Sequence, residues 1–298
     1  MKNLIAATYA PMHADGNIAP EKISAYATFL KRNNVAGIFA NGSTGDFASL
    51  SVDERKALIE AWADEKSEGF YITNHVGDIN LNHSVALAAH SADKVDAIAT
   101  LAPFYFKPSL EKLVFYCKTI AEAAPNVPFY YYHIPDLTGA QFDMPTFMDM
   151  AKSEIPTFAG LKFTQNNMIH YTQSKLYNHQ EFNILFGVDE AFVASLPLGA
   201  DGWVGSTYNH IAPLYLKIKE LFENQKHEEA ALLQNKAIDF VNIIASHGGF
   251  NGGGKSFMKM LGIDCGPARF PHATLSDATL KKIYERLAKL GLEPYFSK

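Results

Sequence analysis

Lys162 stands in the run Phe158-Ala-Gly-Leu-Lys-Phe163, so apolar that a solvated ammonium is out of place there. Withdrawal from water disfavours the charged form and lowers a lysine's pKa. At the reference value of about 10.4, less than ~0.1% of a lysine is free amine at neutral pH, whereas at ~7 to 8 a sizeable fraction is. A free amine can attack a ketone and form an imine. A strand-end lysine can equally snorkel to solvent or pair with a carboxylate, and the run alone leaves both roles open.

Other residues offer matching chemistry. Tyr130 and Tyr132 share one face of an extended run and Tyr131 takes the other. A phenol at the strand end can relay a proton to or from a developing alkoxide, although aromatic packing is the competing role of any tyrosine. Thr164, two residues beyond Lys162, shares its face, and is also an ordinary strand former. Gly42-Ser43-Thr44-Gly45 presents two hydroxyls and backbone N–H groups, a suitable cradle for a carboxylate; a plain turn fits as well. Asp189 and Glu190, just after Gly187, can accept hydrogen bonds from sugar hydroxyls or simply favour the start of a helix.

These residues need a scaffold that gathers strand ends. Short apolar runs alternate with longer segments at helical spacing, the pattern of repeated βα units. Strands are expected at Leu4 to Thr8, Gly37 to Ala40, Tyr71 to Val76, Ala97 to Leu101, Phe129 to Tyr132, Phe158 to Phe163, Phe182 to Gly187 and Gly202 to Gly205. The first helix is expected over Pro20 to Asn33, and Ser51-Val-Asp-Glu54 forms a capping box opening a helix that runs to about Ser67. The eighth helix spans about Ile211 to Glu223, and from Glu228 onward Ala230, Leu233, Ala237, Val241 and Ile244 recur at helical spacing. The expected fold is α/β, a (β/α)8 TIM barrel over 1–225 with a C-terminal helical extension over 226–298. A doubly wound open sheet shows similar alternation, so periodicity alone does not decide between them.

In such a barrel the site lies at the C-terminal ends of the strands. The Ser43-Thr44 turn, Tyr105, Tyr132, Lys162-Phe-Thr164, Gly187-Val-Asp-Glu190 and Gly205-Ser206 all occupy that position. Gly249-Phe-Asn-Gly-Gly-Gly-Lys-Ser256 formally matches a phosphate-binding loop, but that motif needs a strand before it, and only 42 residues follow Ser256. No nucleotide role is expected; the glycines should make a tight bend carrying Phe250 or Asn251 to the rim of the site.

A net charge of −5 offers no basic stripe, which disfavours nucleic acid. Cys117 and Cys265 have no metal or redox spacing, the 11 histidines show no ligand spacing, and nothing approaches the ~18 apolar residues of a membrane span. A soluble, cytoplasmic chain without a signal peptide is expected, with no metal ligands.

The ordered set Gly-Ser-Thr-Gly, Tyr-His-Ile-Pro-x-Leu-Thr-Gly, Gly-Leu-Lys-Phe-Thr, Gly-Val-Asp-Glu and Gly-Ser-Thr-Tyr-Asn resembles the N-acetylneuraminate lyase and dihydrodipicolinate synthase superfamily, and within it the lyase branch, over most of the chain. The resemblance implies reversible cleavage of N-acetylneuraminate, a sialic acid, to pyruvate and N-acetylmannosamine without metal or organic cofactor. It implies that Lys162 forms the imine, that Tyr132 moves the proton at the cleaved bond, and that Ser43 and Thr44 hold the pyruvate carboxylate. Thr164, Gly187, Asp189, Glu190 and Ser206 would bind the sugar chain, Tyr105 would act near a subunit contact, and a homotetramer is implied. Leu137 stands where the synthases typically carry an arginine that clamps a second carboxylate. Asp46 departs from the usual glutamate, and Asp136 adds a charge. The competing functions are a pyruvate aldolase acting on a 2-keto-3-deoxy sugar acid, and a non-catalytic sensor. Binding alone needs no buried amine, so the Lys162, Tyr132 and Thr44 set argues against the sensor.

Overall fold

The computed structural model describes residues 3–298. Its eight parallel strands close into a barrel in sequence order, β1 Leu4–Ala7, β2 Gly37–Ala40, β3 Tyr71–His75, β4 Ala97–Leu101, β5 Phe129–His133, β6 Phe158–Phe163, β7 Asn183–Phe186 and β8 Trp203–Gly205. Closure of β8 on β1 excludes the open doubly wound sheet. The strands read as nearly continuous apolar runs because both faces are covered. Ile5, Phe39, Ala99, Leu101, Tyr132, Leu185 and Val204 fill the interior. The outward residues join the packed helices in a second core, in which Ala230, Ala237, Phe240 and Leu280 of the C-terminal helices also take part.

Local chemistry sets the helix ends. In the capping box the Ser51 N–H donates to Glu54 Oε2 at 2.8 Å and the Glu54 N–H donates to Ser51 Oγ at 3.2 Å. The helix that follows, Val52–Ala63, stops short of Ser67, because the chain turns at Gly69 (φ +79°) and Ser67 bridges Phe70. Pro20–Lys22 is a 3-10 turn ahead of the helix Ile23–Arg32. The helix Tyr208–Glu223 is followed closely by His227–Ala245, so the expected boundary at 225/226 falls in the short link between them.

One irregularity decides where the lysine points. Phe129 pairs with Phe158, but Tyr130 pairs with Gly160, so β6 carries one extra residue, a bulge, at Ala159. Gly160 takes φ +145°, and a Cβ there would lie 1.9 Å from the Asn183 carbonyl oxygen, so no other residue fits. A one-residue slip exchanges the two faces of a strand. The bulge thereby sets Lys162 opposite Tyr132, both directed into the barrel.

Candidate active site

Lys162 is buried, and its Nζ lies 3.9 Å from the centre of the Tyr132 ring and 4.0 Å from that of Phe39. Burial lowers its pKa to about 7, and only the Asp189 carboxylate pulls the other way. Tyr132 is held edge-on to Phe39 at 5.5 Å and packs near His75. Burial pushes its phenol above the ordinary range, and the adjacent Ser43 and Thr164 hydroxyls partly offset this. Neither of those hydroxyls closes a well-formed hydrogen bond: Ser43 Oγ, Thr164 Oγ1 and Asp189 Oδ1 are all buried without a protein partner. Unpartnered buried polar atoms are costly, and here two hydroxyls flank the Tyr132 phenol while the Asp189 carboxylate acts on the Lys162 amine.

The Ser43-Thr44 loop is tied down from below. Asn41, in a left-handed conformation (φ +55°), donates through Nδ2 to the Arg55 carbonyl at 3.0 Å and to Asn74 Oδ1 at 2.9 Å, while its own carbonyl lies 2.8 Å from His75 Nδ1. Burial holds the His75 imidazole well below its usual pKa, so it is neutral. Arg55, fully buried, donates to the His75 and Gly77 carbonyls and faces Asp78. Among the described residues the Ser43 and Thr44 N–H groups have no protein acceptor, which leaves two amides and a hydroxyl in one turn.

On the far side Thr164 follows Lys162, and Gly187 makes room for it, since a Cβ at Gly187 would lie 2.1 Å from Thr164 Oγ1. Asp189 opens a 3-10 turn, Asp189–Ala191, and is buried; its Oδ2 accepts from the Thr207 N–H at 3.1 Å and from Thr207 Oγ1 at 2.6 Å. Burial raises its pKa and the Thr207 bonds oppose the rise. Asp189 thus braces the β8 end through Oδ2, while Oδ1 has no well-formed hydrogen bond and the Tyr208 hydroxyl lies beside the carboxylate. Glu190 is exposed at the rim, with its carboxyl pushed up by the surrounding barrel end and then by Asp189. Ser206 is half-buried beyond β8.

Two cavities occupy the barrel, and the first is lined by Lys162. A cavity of about 300 Å³ runs from Lys162 toward the N-terminal end of the barrel, past Tyr130, Asn183 and Ala97. A second, of about 350 Å³, opens at the C-terminal mouth between Ser43, Phe47, Leu101, Leu137 and Asn251. Ser43, Asp46, Thr138, Asn251 and His272 supply polar groups at the mouth end.

Tyr105 is not brought to this cluster within the chain. It is 86% exposed beside Phe106, in a left-handed conformation (φ +76°). Asp136 is exposed and Leu137 lies on the mouth. In the glycine-rich segment no strand precedes the motif; Phe250–Gly254 forms a π-helical turn rather than a bend. Lys255 is buried and donates to the Pro267 carbonyl at 2.7 Å, so its ammonium is held by the protein's own backbone. Asn251 does reach the rim, whereas Phe250 turns in toward His210. Sequence reading missed Phe39, whose ring walls the amine, and the buried Arg55 and His75 that support the loop. Alternation from Gly37 was the available signal for Phe39.

A closed β/α barrel presenting a buried amine of lowered pKa at the C-terminal ends of its strands defines an imine-forming class of enzyme. The chain belongs to the dihydrodipicolinate synthetase family, whose model matches residues 1–290. It is 38% identical to mouse N-acetylneuraminate lyase over 296 residues, 97% of this chain and 92% of that one. The structure of Proteus mirabilis N-acetylneuraminate lyase superposes with a TM-score of 0.93 at 33% identity, covering 97% of this chain and 98% of that one. A Ruminococcus gnavus sialic acid aldolase altered at its catalytic lysine gives a TM-score of 0.91 at 28% identity, over 99% and 97% of the two chains.

Proposed function

We propose that this protein is a Schiff-base lyase that reversibly cleaves N-acetylneuraminate to pyruvate and N-acetylmannosamine. The observation that carries this reading is Lys162, buried, with a pKa near 7, facing Tyr132 among unpartnered hydroxyls. Its free amine adds to the keto carbon of the open-chain sugar acid, and loss of water gives the imine. Protonated, that imine draws in the electron pair of the breaking carbon–carbon bond, leaving an enamine of pyruvate and the aldehyde of the amino sugar. Tyr132 relays a single proton: its phenol accepts the hydroxyl proton lost at the new aldehyde as its own proton goes to the enamine carbon, so the phenol ends as it began. Water then releases pyruvate and the amine.

Ser43 and Thr44 hold the carboxylate through two amides and a hydroxyl. Thr164, Asp189, Glu190 and Ser206 line the path of the sugar hydroxyls, with Gly187 opening the space. Leu137 at the mouth offers no second carboxylate clamp, which favours a polyhydroxylated chain over an acidic co-substrate. The chemistry calls on no metal or organic cofactor. Tyr105, exposed in a left-handed conformation, acts near a subunit contact in a homotetramer. Among the described residues no helix is long and apolar enough to cross a membrane. The two buried free cysteines suit a reducing, cytoplasmic setting.

Pyruvate release from a panel of keto sugar acids tests the assignment. N-acetylneuraminate should have the highest kcat/KM; a higher value for a 2-keto-3-deoxy sugar acid lacking the N-acetyl group would reassign the substrate.

A further inference from the structure

We infer that Asn251, in the π-helical turn of the C-terminal extension, is a positioning residue that sets how tightly the Ser43-Thr44 loop grips a keto-acid carboxylate. The inference rests on the reading of that loop given above. Asn251 Nδ2 donates to the Ser43 carbonyl at 2.9 Å across 208 residues of chain. The same carbonyl accepts from the Asp46 N–H at 3.1 Å, so both of its lone pairs are engaged. The peptide between Ser43 and Thr44 is planar and trans, hence a fixed Ser43 carbonyl fixes the opposite direction of the Thr44 N–H. That N–H has no protein acceptor among the described residues. Asn251 therefore aims an amide it never touches.

The glycine run is what lets Asn251 arrive there. A Cβ at Gly252 would lie 2.7 Å from the Ala273 carbonyl oxygen, at Gly253 2.6 Å from that of His247, and at Gly254 2.4 Å from the Tyr9 hydroxyl. Three successive close approaches seat the turn between the end of the preceding helix at His247, the later tail at Ala273 and Tyr9 beside the barrel. His210, neutral because burial lowers its pKa to about 4, lies 3.0 Å from the Gly254 carbonyl through Nε2 and 3.4 Å from the Tyr9 hydroxyl. The chain beyond the turn is fastened as well: Arg269 donates to the Ser49 carbonyl at 2.8 Å and pairs with Glu54, and His272 lies 3.8 Å from Asp46. The loop from Ser43 to Ser49 is thus strapped from above by this segment as Asn41 ties it from below.

The test compares pyruvate with its neutral amide, pyruvamide, in borohydride trapping by the full-length enzyme. Asn251→Ala and the near-isosteric Asn251→Leu both remove the donor without adding charge. Loss of one such hydrogen bond should raise half-saturating pyruvate about five- to tenfold and leave pyruvamide within about twofold. Equal shifts for the two ligands would mean a general packing defect and would overturn the inference. So would an unchanged pyruvate requirement in both variants where Ser43→Ala raises it. If Ser43→Ala leaves the pyruvate requirement unchanged, the carboxylate reading of the loop fails, and the role of Asn251 falls with it.

Discussion

Lys162 and Tyr132 are direct partners across β6 and β5, with the lysine Nζ 3.9 Å from the centre of the tyrosine ring. Two effects oppose each other there. The faces of Tyr132 and Phe39 favour an ammonium, by roughly 0.5 to 2 kcal/mol each. Burial disfavours it more: a fall from 10.5 to about 7 corresponds to an energy on the order of 5 kcal/mol. Desolvation wins, and much of the amine is uncharged at neutral pH. In the proposed mechanism the rings then serve as walls against a neutral nucleophile and its planar imine.

The pH dependence follows. Imine formation needs the free amine, so kcat/KM should fall about tenfold per pH unit below the Lys162 pKa of about 7. The stability effect has the opposite origin. Between about pH 7 and about 10.4 the unfolded chain holds the proton that folded Lys162 has lost, so stability rises with pH across that window, and below it the full penalty of a few kcal/mol remains. Lys162→Met should therefore abolish activity yet raise Tm, most below pH 7 and least near pH 10. A Tm gain independent of pH would contradict the assigned desolvation.

Gly205 tests the bracing of the sugar side. A Cβ there would lie 1.8 Å from Asp189 Oδ1, so Gly205→Ala must displace the carboxylate and its Thr207 bonds. Steady-state kinetics should show kcat/KM for N-acetylneuraminate reduced by about 100-fold or more, with a lower Tm. Activity near that of the parent would show that Asp189 has no part in the site.

Leu137 is 66% exposed on the mouth, so an arginine there would keep its hydration and act on the substrate rather than on the fold. Leu137→Arg should lower kcat/KM for N-acetylneuraminate about five- to tenfold by crowding the sugar chain, while pyruvate trapping stays unchanged. An unaltered kcat/KM would remove Leu137 from the substrate path.

How far the sequence carries can be judged from particular residues. The strand runs were legible because barrel strands are buried on both faces, and β2, β4 and β6 fall where their apolar runs lie. Lys162, Tyr132 and Thr164 were legible because strand alternation and strand-end position are local properties. Three things were not. The bulge at Ala159 that turns Lys162 inward depends on Gly160 passing against the Asn183 carbonyl of the next strand. The split role of Asp189 depends on Thr207, 18 residues on. The reach of Asn251 to Ser43 spans most of the chain, and the glycines that permit it resemble a phosphate loop until the neighbouring backbone is seen. Each is a tertiary contact with no local periodicity to announce it.

The most direct measurement is borohydride trapping followed by peptide mass mapping. Borohydride reduces an imine to a stable secondary amine, so pyruvate plus reductant should inactivate the enzyme irreversibly and leave one adduct. The account places that adduct on Lys162, and expects Lys162→Ala to lose both labelling and cleavage, because no neighbouring amine shares its geometry. Full activity in Lys162→Ala, or an adduct found on Lys255 alone, would contradict it.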